Sequence, residues 1–191
     1  MPCYSINGIT PVVHPDSFVH PTAVLIGDVI ISSGCYIGPG ASLRGDMGRI
    51  TIGKDANVQD TCVLHCGPGA EIIIEQEGHI GHGAVLHGCR IERNVLVGIN
   101  AVVMDNCVIG ESSVVAAASF VKTGFTCPPR SLIIGSPGKI IRELTGDDVS
   151  RKERETEVYK RLAKRCLETL QETEPLAEVE ANRRRFTKED C

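Results

Sequence analysis

The chain has 191 residues, a formal net charge of −4, 4% aromatic residues and no Trp. That balance leaves no basic footprint for nucleic acid. No apolar run approaches the ~18 residues of a membrane span, and the first twenty residues lack a basic stretch followed by an apolar one, so neither a membrane helix nor a secretory signal is expected.

From Val13 onward the aliphatic residues keep step. Val13, Val19, Leu25, Ile31, Ile37 and Leu43 are six apart, and Ala23, Val29, Cys35 and Ala41 stand two places before the later ones. Three extra residues fall within ASLRGDMGRI, and the rhythm resumes at Ile52, Val58 and Leu64. A longer loop intervenes before Ile74, Ile80 and Leu86. After one five-residue step it continues through Ile91, Val97, Val103, Ile109, Val115 and Val121. One aliphatic and one small inward position per six residues predict a parallel β-helix, with three short strands and about 18 residues per coil. Small and β-branched residues suit its thin walls. Glycines 27, 34, 38, 40, 53, 98 and 110 are expected at its corners.

The β-helix is expected over 1–140, leaving through the Pro/Gly-rich exit CPPRSLIIGSPGK (127–139). Val158, Leu162, Cys166 and Leu170 recur every four, beside Tyr159, Ala163 and Leu167, and predict an amphipathic helix within 141–170. Residues 171–191 read as a polar tail whose Arg183–Arg185 run is solvated. The nine cysteines are odd in number, lack CxxC and often take the small inward position; they read as buried thiols of a reducing cytoplasm.

The repeat also gives coordinates to HIGHGAVLHGC (79–89). Three steps return to the same edge one coil later. Arg44, His65 and His87 each follow an aliphatic position three steps apart, so they should stack on one edge. His82 is the counterpart of Asp60 on a different edge and points away from that stack within one chain. Three-fold packing of such prisms could bring His82 of an adjacent copy to it. Three imidazoles with an open fourth position describe a catalytic rather than a structural metal site, suited to Zn2+, Fe2+ or Co2+. Arg44 beside a dication needs a carboxylate, from Asp60 or Asp46; a structural ion pair between subunits is an equal reading. Gln59 could orient metal-bound water or simply be an outward polar residue. His79 is expected to support the site or lie on the surface, and His14 and His20 to have surface or packing roles. Cys66 and Cys89 adjoin the histidines and are read as core thiols.

With Arg44-Gly45-Asp46, Gln59-Asp60, His65, His82 and His87 in this order, the chain resembles the γ-class carbonic anhydrases of the hexapeptide-repeat superfamily. ASLRGDMGRI, HIGHGAVLHGC, AVVMDNCVIGE and EPLAEVEANR are similar to the PaaY/CaiE branch, over nearly the whole chain. The resemblance implies a left-handed β-helix, a C-terminal helix and a homotrimer. It implies a metal held by His65 and His87 of one subunit and His82 of another. It further implies an Arg44–Asp60 pair between subunits, Gln59 on the metal-bound solvent and Tyr159 near the site; simple helix packing is the other reading of Tyr159. Met47 follows Asp46 where the archaeal prototype has glutamate, and Glu71, Glu75 and Glu77 are in no clear register for a proton shuttle. A zinc-dependent acyl-CoA thioesterase is therefore preferred to a carbonic anhydrase acting on CO2 and bicarbonate. A CoA-dependent acyltransferase and a non-catalytic trimeric scaffold are the further alternatives, in each case without nucleic-acid or membrane partners.

Overall fold

Strands of two residues cannot hold together alone, so each depends on its copies in the coils above and below. The structure, a computed structural model describing residues 2–187, satisfies this with about seven parallel turns. Register follows the period: Leu25 pairs with Leu43, Leu43 with Leu64, Leu64 with Leu86, Leu86 with Val103 and Val103 with Val121. These six side chains are fully buried and form one column of the core.

Three faces result. The first carries the leading halves of Val24–Ile31 and Ser42–Ile52, then Val63–His65, Val85–His87, Val102–Val103 and Phe120–Val121. The second carries the trailing halves of the same two long strands, then Glu71–Ile74, Arg90–Ile91, Val108–Ile109 and Thr126–Cys127. The third runs from Phe18–Val19 through Tyr36–Ile37, Asn57–Val58, His79–Ile80, Leu96–Val97 and Val114–Val115 to Ser131–Gly135. The three extra residues after Leu43 do not break the chain into a loop. Ser42–Ile52 continues round the corner, and the pairing shifts register beside Gly27 and Val29.

The corners use two devices. Asn94, Asn100 and Asn106, six apart, adopt the left-handed conformation at φ 56 to 58, which asparagine tolerates better than most residues. Gly98 is needed for close approach instead: an added Cβ would meet the Ala117 nitrogen of the next coil at 2.5 Å.

Gly138–Glu143 pairs antiparallel with Ser131–Gly135, so the first residues of the segment expected to be helical extend the sheet. The helix runs Gly146–Thr169, capped by Thr145 and Asp148 in a reciprocal box. Its contact face differs from the aliphatic stripe. Lys152, Thr156 and Ala163 are its buried residues, and Tyr159 lies between the last two. Leu162 and Cys166 do pack, against Phe18 and Tyr36, but Leu170 is half exposed. Lys152 is tolerated because its ammonium donates to the Glu77 carbonyl at 2.8 Å and to Asn94 Oδ1 at 2.5 Å.

Residues 170–187 form no helix or strand, and residues 188–191 of the expected tail, with Cys191, lie outside the described residues. Six of the other eight cysteines are buried; Cys3 is exposed and Cys166 half-buried. Among the described residues no helix is long and apolar enough to cross a membrane.

Candidate metal centre

Arg44 pairs with His65 and His65 with His87 in the parallel ladder, so the three stack on one corner in consecutive coils. His65 Nδ1 lies 3.3 Å from His87 Nε2. Two nitrogens at 2.0–2.1 Å from one tetrahedral ion would be separated by roughly this distance. His82 follows the third-face strand His79–Ile80 and stands on the opposite rim of the first face. The strand Val85–His87 separates it from His87, on the order of 10 Å, well beyond the ~3.3 Å edge of one coordination sphere. Among the described residues of this one chain, no three His, Cys, Asp or Glu side chains are arranged to hold a metal ion.

Each of the three histidines has its own carboxylate. His87 Nδ1 is 2.6 Å from Asp105 Oδ1, His82 Nδ1 is 2.8 Å from Asp60 Oδ2, and His65 Nε2 is 3.3 Å from Asp46 Oδ1. A carboxylate on one ring nitrogen fixes the tautomer and leaves the other nitrogen's lone pair outward, the usual support of a metal-bound histidine. The first two pairs have this geometry, with Nε2 left for a ligand. The third does not complete a hydrogen bond, and His65 Nε2 is buried without a partner. Burial, ahead of the nearby Arg44, holds the His65 ring below its usual range and so keeps it neutral. Imidazole nitrogens of this kind suit a divalent metal, His65 and His87 offering two side by side and His82 one on the other rim.

Asp46, not Asp60, takes Arg44 within one chain: Arg44 Nη1 reaches the two Asp46 oxygens at 3.1 and 2.9 Å. This hydrogen bond lowers the Asp46 carboxyl. Cys66 and Cys89 point into the core, and burial pushes both thiols up, so they are poor thiolate ligands.

On the His82 rim, Gln59 is almost fully buried. Its Nε2 is 3.0 Å from Asn57 Oδ1 and 2.7 Å from His79 Nε2. With both N–H groups donated inward, the Gln59 carbonyl oxygen is the amide's remaining polar atom. His79 is therefore interior, not a surface residue. It accepts from Gln59 at Nε2 and sits 3.4 Å from the Thr156 hydroxyl at Nδ1. Burial drives it down to about 3, so it stays neutral. Tyr159 packs edge-on against His79 with ring centroids 5.2 Å apart, and leans on Tyr36 at 5.5 Å. Its hydroxyl lies 3.4 Å from His82 Nε2. Burial lifts that phenol to about 12, leaving it a proton donor. Gln59, His79, His82 and Tyr159 all border one cleft of about 510 Å3 beneath the helix.

Glu75 and Glu77 are committed elsewhere, to Arg90 and to Lys160 respectively. Sequence reasoning passed over Asp105 and gave His79 no definite role. Asp105 lies in the coil after His87 and two places past inward Val103, so the ladder could have found it.

The hexapeptide-repeat model for bacterial transferases matches residues 88–123. The carnitine operon protein CaiE of Salmonella agona is 52% identical over 186 residues, covering 97% of this chain and 94% of that protein. CaiE of Escherichia coli K12 is 51% identical, with 97% and 95% covered. The chain is also similar to the crystal structure of a hexapeptide transferase family protein from Anaplasma phagocytophilum. That match has a TM-score of 0.82 and 33% identity, covering 85% of this chain and 96% of that one. The likeness to CaiE runs over nearly the whole chain, and the chain belongs to the CaiE family of hexapeptide-repeat proteins.

Proposed function

We propose that the protein is a metal-dependent hydrolase of acyl-CoA thioesters, working as a homotrimer. His65 and His87 of one copy and His82 of the partner subunit would hold each ion, with zinc the first candidate and Fe2+ or Co2+ the others. The observation that carries this reading is the pair of Nδ1–aspartate contacts at His82 and His87, which turns both Nε2 atoms away from the aspartates on opposite rims of one face, His87 Nε2 toward His65 Nδ1 and His82 Nε2 toward the Tyr159 hydroxyl. That face supports a contact between copies. Val63, Val85, Val102 and Phe120 follow one another along the ladder between the two rims, and Val63 and Phe120 are 42% and 37% exposed.

Bound there, the ion would lower the pKa of water to about 7 and polarise the thioester carbonyl. The chain's own groups have separate tasks. Gln59 turns its carbonyl oxygen to the attacking water and orients it. Tyr159, protonated at neutral pH, donates to the carbonyl oxygen as charge develops on it. The water oxygen bonds to the acyl carbon, the C–S bond breaks, and the sulfur leaves as thiolate and takes up a proton. Asp60 and Asp105 fix the His82 and His87 imidazoles, and the Arg44–Asp46 pair stands beside His65. Arg44 is 41% exposed at its side chain and would also reach Asp60 of the partner subunit.

CO2 hydration is the second reading, supported by the histidine set itself. It is disfavoured by the ion-paired Glu75 and Glu77 and by exposed Met47 after Asp46. A cytoplasmic location belongs to the same proposal, supported by eight free cysteines among the described residues. The test is a parallel assay of zinc-, cobalt- and iron-loaded protein against CO2 and an acyl-CoA panel. Thioester turnover abolished by chelation and by His82→Ala is expected. CO2 hydration without thioester turnover would reverse the preference, and metal-independent acyl transfer to an amine or alcohol would favour a transferase.

A further inference from the structure

The cleft bordered by His82 and Tyr159 is unlike the rest of the surface. Its floor is Leu96, Val114, Ala116 and Ala117 of the third face and the corner beyond it, and Val158 forms its wall. A volume of about 510 Å3 lies within the range of small-molecule sites. No lysine or arginine lines it, and Glu155 is its one carboxylate. A CoA thioester has two unlike halves, a polyanionic nucleotide and an acyl chain. The cleft would repel the first and desolvate the second favourably.

We infer that the acyl group, rather than the CoA moiety, lies in the cleft between the third face and the helix, and that Ala116 and Val158 set the acyl size accepted. This inference rests on the thioesterase reading of the same site. Gln59, His82 and Tyr159 border the part of the cleft where the thioester carbonyl would lie, and Glu155 is the one carboxylate among the other lining residues. Otherwise the lining is mostly aliphatic, with small side chains at 116 and 117 leaving the depth that an acetyl group would not fill. Each methylene buried there is worth about fourfold in kcat/KM, from ~0.8 kcal/mol of transfer free energy.

The test compares wild type, Ala116→Leu and Val158→Ala. Each is given acetyl-, butyryl-, octanoyl- and decanoyl-CoA, and octanoate binding is measured by calorimetry. The octanoyl-to-acetyl ratio of kcat/KM should exceed tenfold in wild type and fall at least tenfold in Ala116→Leu. Val158→Ala, on the helix, should shift the optimum to decanoyl. Octanoate should bind wild type and bind Ala116→Leu at least tenfold more weakly. Thioester turnover with one chain-length profile in all three proteins would overturn the cleft assignment and leave the activity intact. Octanoate binding lost in Ala116→Leu without any thioester turnover would uphold the cleft and sink the thioesterase reading. A change in oligomer mass in either variant, by light scattering, would assign the cleft to the contact between copies and overturn the inference.

Discussion

His87 Nδ1 and Asp105 Oδ1 stand 2.6 Å apart across adjacent coils of the first corner. The contact is possible because Gly88 leaves room: an added Cβ there would meet Asp105 Oδ1 at 2.5 Å. Asp105→Asn keeps the shape and removes the charge, so the imidazole loses the partner that fixes its tautomer. Such changes cost about 10- to 100-fold in metal affinity. Competition with a chromophoric zinc chelator should show that loss, while the oligomer and its thermal unfolding change little. Undiminished zinc affinity in Asp105→Asn would remove His87 from the ligand set.

The opposed rims make a second expectation quantitative. A trimer of His82→Ala copies has no complete site, and neither has a trimer of His87→Ala copies. Mixed after dissociation, the first supplies His65 and His87 and the second supplies His82. Random reassembly at equal ratio completes about one site in four. Turnover and bound zinc should both recover to about a quarter of wild type. Recovery of neither, with mixed trimers verified by mass spectrometry, would argue against a shared centre.

What could be read from the sequence follows from the period. Inward residues are fixed by a six-residue rhythm that tolerates few exceptions, so the column from Leu25 to Val121 and the Arg44–His65–His87 stack were both legible. His82 on another edge was legible for the same reason. The helix was less so: its buried seam includes Lys152 and Thr156, chosen for specific hydrogen bonds that no apolar pattern announces. His79 was left between a supporting and a surface role because its neighbours, Gln59 and Thr156, lie 20 and 77 residues away. Arg44 had two candidate carboxylates in sequence, and the strand's continuation past Gly45 brings Asp46 to it.

The valine ladder should carry the contact between copies. Val85 lies at its centre, flanked by Val63 and Val102 in register. Val85→Arg leaves the inward core untouched, since its neighbours Ala84 and Leu86 are the buried ones. An unpaired charge in a desolvated contact costs several kcal/mol. Light scattering should therefore report monomers, with folded circular dichroism and lost turnover. A stable trimer of Val85→Arg would move the interface to another face.

His79 should make the protein sensitive to acid. Its folded value of about 3 lies below the ordinary 6.5, chiefly through burial and then through Lys152. Between those values the unfolded chain holds a proton that the folded chain does not. The contribution is fully present above about pH 6.5 and is lost progressively as pH falls toward 3. Its full size is a few kcal/mol at most, from ~1.4 kcal/mol per pH unit. His79→Gln replaces the ring by a group that does not titrate and still accepts from Gln59. Urea unfolding at pH 7 should show a modest loss from imperfect packing beneath Tyr159. At pH 4 to 5 the variant should lose less stability, relative to its own value at pH 7, than wild type does. Parallel stability curves for the two proteins between pH 7 and 4 would show that the imidazole is not held neutral, and with it that Gln59 is not oriented by an accepting His79.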